Sequence, residues 1–175
     1  MNACLATRGV PRLRDRMTTA PAIDLEGLDL TRAVVDKAGI YELLHQRGKF
    51  AVLDGILHYD VERNFTVAYT DARAGDWWTT DHIPGRPIFP GALMVEAGAQ
   101  TCAYDFMRRQ KAGPETFVGF GGLENTRFRG LVSPGSRLVF VASVQRIRSR
   151  LFTYQVHGYV ERELVFESGV LGVVV

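Results

Sequence analysis

Hydrophobic and polar positions divide this sequence into a central apolar segment with strand-like segments on both sides. Apolar residues recur at every second position in several of these segments, as at Leu138, Phe140 and Ala142. This period is typical of strands that bury one face. The pattern predicts the following strands, two before the apolar segment and four after it: residues 50–59, 64–70, 116–127, 137–148, 151–161 and 164–175.

The central apolar segment predicts one long helix, from about Pro90 to Lys111. Proline is favoured where a helix begins. Gly113 and Pro114 supply the expected end, because neither residue continues a helix well. The sequence therefore predicts a helix that is long enough to form the centre of the domain.

The order of the elements indicates an α+β fold in which an antiparallel sheet wraps around one long central helix. Upstream of that helix, residues 28–46 show helical spacing in two short pieces broken near Gly39, and residues 71–86 have the composition of a loop. A sheet of this kind leaves an edge strand exposed. Pairing of that edge with a second copy would cover it, so we expect a homodimer.

Length, composition and charge narrow the class of protein without identifying its chemistry. The 175 residues predict one domain over residues 28–175, with residues 1–27 as a loosely ordered extension. The basic start of the chain also fits a mitochondrial-type presequence, or translation from Met17. No apolar run reaches the ~20 residues of a membrane span. Two cysteines give no disulfide framework, which favours the reducing cytoplasm.

A formal net charge of +2 gives no argument for nucleic-acid binding. Basic residues nevertheless cluster at 108–111, 127–129 and 146–150. Solvated surface accounts for most clusters of this kind. The functional alternative is a surface that docks an acidic partner.

Glu96 is the only charged residue between Ala92 and Tyr104. An isolated carboxylate in an apolar helix is costly unless it is paired, protonated or functional. Gln100 follows four residues later and therefore lies on the same helical face. Either Glu96 is a structural residue bonded to Gln100 or the backbone, or it is an acid whose burial favours the protonated, proton-donating form.

His82 lies in a loop rich in proline and glycine that leads into the same helix. Imidazole suits a general base near neutral pH, so His82 and Glu96 form a candidate base and acid. Gly91 begins the helix, where a free backbone N–H can bind a developing oxyanion, although it also fits simple close packing. We expect no metal, because one His and one Glu fall short of the three ligands usual for catalytic zinc.

Residues 82–93, HIPGRPIFPGAL, and residues 96–100, EAGAQ, resemble the 3-hydroxyacyl-[acyl-carrier-protein] dehydratases of the FabZ and FabA type. The family pattern is G-H-F-P-G-x-P-x-x-P-G-V-L…E-A-x-A-Q, and the step of fourteen residues from His82 to Glu96 is the same. The similarity extends over roughly residues 40–172. Two departures stand at the site: Asp81 replaces the family's glycine and Ile83 its phenylalanine.

The resemblance implies a hot-dog fold and a dehydratase of fatty-acid or polyketide-type synthesis. It implies that His82 takes the C2 proton of a 3-hydroxyacyl thioester and that Glu96 protonates the departing hydroxyl. Pro90, Gly91 and Gln100 would contact the substrate, which is carried by acyl carrier protein or CoA. The two catalytic residues would come from opposite subunits of a homodimer, either alone or as part of a trimer of dimers, and no cofactor would be needed.

Two alternatives to the dehydratase remain at the level of sequence. A hot-dog thioesterase would use Glu96 to act on water and would release a free thiol. A non-catalytic acyl-binding module would keep the fold and bind ligand without turnover. The pair formed by His82 and Glu96 argues against the binding module, since the fold alone does not require both residues.

Overall fold

A seven-stranded antiparallel sheet is the framework of the part of the chain that the computed structural model describes, residues 25–175. The order across the sheet is β1-β2-β3-β5-β6-β7-β4, so β1 and β4 form its edges. The strands are β1 (Val35–Asp36), β2 (Gly55–Asp60), β3 (Phe65–Asp71), β4 (Val118–Phe128), β5 (Arg137–Arg148), β6 (Leu151–Val160) and β7 (Glu163–Val174).

The helices are α1 (Lys37–Leu43), α2 (Trp78–Asp81) and α3 (Gly91–Gln110). The sheet wraps around α3, which contacts β3, β4, β5, β6 and β7. This arrangement confirms the predicted α+β fold and its single long central helix. The prediction for residues 1–24 lies outside the described residues.

Helix α3 begins and ends close to the predicted positions. Pro90 is its N-cap, and the Pro90 carbonyl accepts hydrogen bonds from the N–H groups of Leu93 and Met94. Lys111 ends the helix in the left-handed conformation, with φ of 50°, which turns the chain away as C-caps commonly do. Most of the helix from Ala97 onward is buried, including Cys102, which packs as a small apolar residue as predicted.

Five of the six predicted strands are confirmed to within two residues at each end, but the strand predicted over residues 50–59 starts too early. Residues Gly48–Phe50 form a 3₁₀ helix instead, and β2 begins only at Gly55. The Phe50 carbonyl and the Leu53 N–H make hydrogen bonds to buried side chains rather than to a neighbouring strand. The chain therefore turns inward here before it joins the sheet.

The prediction of two short helical pieces over residues 28–46, broken near Gly39, is wrong for the first piece and for the break, because one helix continues through Gly39. Only Lys37–Leu43 is α-helical, with the Asp36 side chain accepting a hydrogen bond from the Gly39 N–H as its N-cap. Leu28 and Leu30 pack instead on a second apolar cluster of the sheet, around Phe65. Burial on that face outweighs the weak local preference for a helix.

The loop predicted over residues 71–86 also contains a short helix, Trp78–Asp81, that sequence inspection missed. Trp78 is buried and its ring meets the Phe89 ring edge-on, with 5.3 Å between the ring centroids. A single helical turn anchored by one tryptophan has too few positions to show a period. Over residues 25–175, no helix has the length and apolar content that spanning a bilayer requires.

Asp105 is a second acidic residue of α3, and it is fully buried. Its Oδ1 accepts a hydrogen bond from the Thr66 hydroxyl at 2.6 Å. Its Oδ2 accepts from the Tyr154 hydroxyl and from Arg109 Nε, each at 2.5 Å. Strands β3 and β6 are thereby fastened to the C-terminal half of α3 by one carboxylate whose charge is paired with Arg109.

Replacing Asp105 by alanine is expected to lower the free energy of unfolding by about 3–5 kcal/mol, because it leaves the guanidinium of Arg109 without its buried counter-charge. Urea denaturation measures this directly. Arg127→Ala, which removes an exposed ion pair with Glu167, is the matched control and should cost about 1 kcal/mol or less. Equal losses in the free energy of unfolding for the two variants would contradict a structural role for the buried Asp105 carboxylate.

Candidate active site

Glu96 lies half-buried in the N-terminal half of α3, in the wall of a cavity between that helix and strands β4, β6 and β7. The cavity has a volume of ≈ 80 Å³. Its lining is mostly apolar and includes Ala99, Ala103, Phe120 and Phe152. A carboxyl group therefore faces a narrow space of a kind that suits a hydrocarbon chain.

Gln100 lies beside Glu96, as the spacing of four residues predicts. Its Nε2 donates to Glu96 Oε1 at 2.6 Å and to the Phe50 carbonyl at 2.6 Å. Gln100 is only 1% exposed, and both of its N–H groups are used within the chain. The Gln100 amide therefore holds one Glu96 oxygen in place, and Gln100 lines the same cavity.

Tyr41 is a residue of this site that sequence inspection missed. Its hydroxyl donates to Gln100 Oε1 at 2.6 Å and accepts from the Leu53 N–H at 2.8 Å. Burial raises the pKa of Tyr41 well above the ordinary value for a phenol, so the hydroxyl remains a donor. Tyr41 stands 59 residues before Gln100 in the chain, and no local pattern signals their contact.

His82 directly follows α2, and its backbone N–H donates to the Trp78 carbonyl at 3.0 Å. Its Nδ1 lies 3.1 Å from the Ile88 carbonyl oxygen. A carbonyl can only accept, so Nδ1 carries a proton, and in the neutral imidazole Nε2 then keeps a free lone pair. The loop thus holds His82 in the tautomer that a general base needs.

The turn between His82 and α3 explains the dense glycine and proline pattern. Gly85 adopts a φ of +78°, which is readily available only to glycine. Gly91 lies against Phe128, and an added Cβ would come within 2.9 Å of that ring. The close packing that the sequence allowed for Gly91 is therefore present, and its N–H remains one of the helix-starting groups without an intrahelical acceptor.

The structure does not bring His82 and Glu96 into one cavity within a single chain. His82 is exposed, and it is not among the residues that line the cavity beside Glu96. Asp81 is exposed as well, and its carboxylate accepts a hydrogen bond from the Thr80 hydroxyl at 2.7 Å.

Two of the basic clusters are engaged in ways that the sequence did not reveal. Arg109 is largely buried and also donates to the carbonyls of Asp60 and Val61, so it is not free to dock a partner. Hydrogen bonds from Arg129 and Arg127 hold the pKa of Glu167 below its ordinary value.

No group of three or more His, Cys, Asp or Glu side chains within residues 25–175 is arranged to hold a metal ion.

Comparison with known proteins relates this sequence to the FabA-like family. The model of the FabA-like domain matches residues 44–168. The 3-hydroxyacyl-[acyl-carrier-protein] dehydratase FabZ of Agrobacterium fabrum is 36% identical over 145 residues, which is 81% of this chain and 93% of that protein. The FabZ of Legionella pneumophila is 37% identical over 106 residues, 59% of this chain and 70% of that protein.

A solved structure supports the fold independently of sequence. The dehydratase heterocomplex ApeI:P from Xenorhabdus doucetiae superimposes with a TM-score of 0.67 at 10% identity, covering 78% of this chain and 90% of that one. The fold is therefore the hot-dog fold, as the resemblance implied. The chain belongs to the FabA-like family, and its curated relatives are FabZ dehydratases.

The tautomer of His82 can be tested against that of His45 in the same protein. His45 Nε2, rather than Nδ1, lies 2.7 Å from a carbonyl oxygen, that of Pro114. In ¹⁵N spectra of the neutral imidazoles, we expect a protonated Nδ1 in His82 and a protonated Nε2 in His45. The same tautomer in both residues would contradict the geometry of the loop.

Proposed function

We propose that this protein removes water from 3-hydroxyacyl thioesters to give trans-2-enoyl thioesters, with His82 as base and Glu96 as acid. Its membership of the FabA-like family and its FabZ relatives support a hydro-lyase of this class. The observation that carries the residue assignment is the position of Glu96, a lone carboxyl in the wall of an apolar cavity, held by a hydrogen bond from Gln100.

The proposed proton transfers follow from the environments of His82 and Glu96. Nε2 of His82 takes the C2 proton, and the electrons of that C–H bond delocalise toward the thioester oxygen before they form the C2–C3 double bond. The C3–O bond breaks as Glu96 gives its proton to the departing hydroxyl, which leaves as water. His82 is then protonated and Glu96 ionised, so transfer of one proton from His82 to Glu96 through water restores the site.

The first turn of α3 is proposed to hold the thioester oxygen. Negative charge develops on that oxygen when C2 loses its proton, and the N–H of Gly91 stands where the helix dipole is positive. Pro90 orients this turn through its carbonyl, which accepts hydrogen bonds from the N–H groups of Leu93 and Met94. Gln100 is proposed to act on the substrate through Glu96.

A homodimer is proposed because the site is incomplete in one chain. Edge strand β4 carries three exposed apolar side chains, Phe120, Leu123 and Phe128, with exposures of 53%, 40% and 54%. Phe120 also lines the Glu96 cavity. Pairing of β4 with β4 of a second copy would cover this edge and bring new residues to the cavity, His82 of that copy among them.

The carrier and the location are also proposals. The curated relatives are named for acyl-carrier-protein substrates, which supports an acyl carrier protein thioester over a CoA thioester for this chain. Fatty-acid biosynthesis is the corresponding setting. The free, buried Cys102 is compatible with a reducing compartment, and we propose the cytoplasm.

Mixing two inactive variants tests both the catalytic roles and the shared site. His82→Ala and Glu96→Gln are each expected to lower kcat by about 10²–10⁴-fold. After subunit exchange, half of the dimers are mixed, and each mixed dimer has one intact site of two. The mixture should therefore recover about a quarter of wild-type activity.

The dehydration of a 3-hydroxyacyl pantetheine thioester provides the assay, and sedimentation confirms that each variant remains dimeric. No recovery on mixing would show that His82 and Glu96 do not meet across a subunit interface. Full activity in either single variant would remove that residue from the mechanism.

The pairing of β4 can be tested by placing a charge on it. Leu123→Lys is expected to raise the dimer dissociation constant by at least about tenfold, since a charge would be buried between two apolar edges. Val61→Lys, at a similarly exposed position in the turn after β2, is the matched control. Sedimentation velocity over a concentration range measures both, and equal dissociation in the two variants would contradict the assignment of β4.

A further inference from the structure

We propose that Tyr41 is a positioning residue for the acid of the site, acting through Gln100 to determine which oxygen of Glu96 delivers the proton. This inference rests on the proposed dehydratase function. It depends on four hydrogen bonds that join α1, the segment before β2, and α3. Tyr41 does not itself touch the substrate.

The direction of each hydrogen bond in this series follows from which groups can donate and which can only accept. The Leu53 N–H can only donate, so it gives its hydrogen to the Tyr41 oxygen. The Tyr41 hydroxyl hydrogen is then free for Gln100 Oε1, which can only accept. Burial raises the pKa of Tyr41, which keeps that hydrogen in place.

This contact selects one of the two orientations of the Gln100 amide. With Oε1 turned toward Tyr41, Nε2 points its two hydrogens at the Phe50 carbonyl and at Glu96 Oε1. The flipped amide would place its carbonyl against two acceptors and its NH₂ group against a donor. Such a buried mismatch is costly, so Tyr41 and Phe50 together hold a single orientation.

The two carboxyl oxygens of Glu96 therefore have different hydrogen-bond environments. Oε1 receives the Gln100 hydrogen and acts as the carbonyl oxygen of the protonated acid. Within residues 25–175, Oε2 has no hydrogen-bond donor, and it is the oxygen that carries the proton for the leaving hydroxyl. The hydrogen bonds from Tyr41 through Gln100 therefore orient the Glu96 carboxyl group as well as hold it in place.

Tyr41→Phe tests the inference, because it keeps the ring and removes the hydroxyl. We expect kcat for a 3-hydroxyacyl pantetheine thioester to fall about 10- to 100-fold while KM stays within about twofold, as misaiming a catalytic group affects the chemical step more than binding. Tyr154→Phe is the matched control. It removes another buried tyrosine hydroxyl that bonds a carboxylate of α3, that of Asp105, and should leave kcat within about twofold.

A second measurement does not depend on turnover. In wild-type protein labelled with ¹⁵N glutamine, the side-chain amide hydrogens of Gln100 should be protected from exchange with solvent. Tyr41→Phe should speed this exchange, and Tyr154→Phe should not. If Tyr41→Phe fails to fold, protection in the wild-type protein still decides whether the amide is locked, and fast exchange there would overturn the inference.

The outcomes separate this inference from the function on which it rests. A wild-type protein that releases no water from the thioester overturns the proposed function and the role of Tyr41 with it. An active wild-type protein whose kcat survives Tyr41→Phe overturns the positioning role alone. Equal losses of kcat in Tyr41→Phe and Tyr154→Phe would also overturn it, because they would show a general effect of destabilising α3.

Discussion

The structure depends on the pairing of polar groups on a helix that is otherwise packed in an apolar core. Glu96, Gln100 and Asp105 lie on α3, and an unpaired polar group there would cost several kcal/mol. Asp105 is satisfied by Thr66, Tyr154 and Arg109, which bind the helix to the sheet. Among residues 25–175, Glu96 accepts a hydrogen bond on one oxygen only, from Gln100. The first arrangement is closed and structural, whereas the second leaves an oxygen free for chemistry.

That difference connects the fold to the proposed reaction. The sheet encloses the C-terminal half of α3, but beside Glu96 it leaves a narrow apolar cavity. The loop that begins the same helix presents His82 outward, with Nδ1 fixed by the Ile88 carbonyl. Acid and base therefore do not share a cavity within one chain. In the proposed homodimer, two copies joined at an apolar edge would bring the base of one chain to the acid of the other.

Local signals were enough to predict much of this architecture. The apolar segment with Pro90 at its start predicted α3, and the period of two gave β5 the bounds Arg137–Arg148. The spacing of four residues also placed Glu96 beside Gln100. Tyr41 could not be found in this way, because it meets Gln100 across 59 residues of sequence. The helix predicted around Leu28 is wrong because Leu28 packs on apolar residues of the sheet rather than on residues of its own segment.

The central claim is that the site moves protons on a 3-hydroxyacyl thioester without hydrolysing it. Mass spectrometry of the products after incubation with such a thioester, over several chain lengths, tests this most directly. The account predicts a product lighter by one water that retains its thiol carrier, and it predicts the ultraviolet absorbance of a 2-enoyl thioester. Release of free thiol with the 3-hydroxy acid intact would contradict it and would point to a thioesterase.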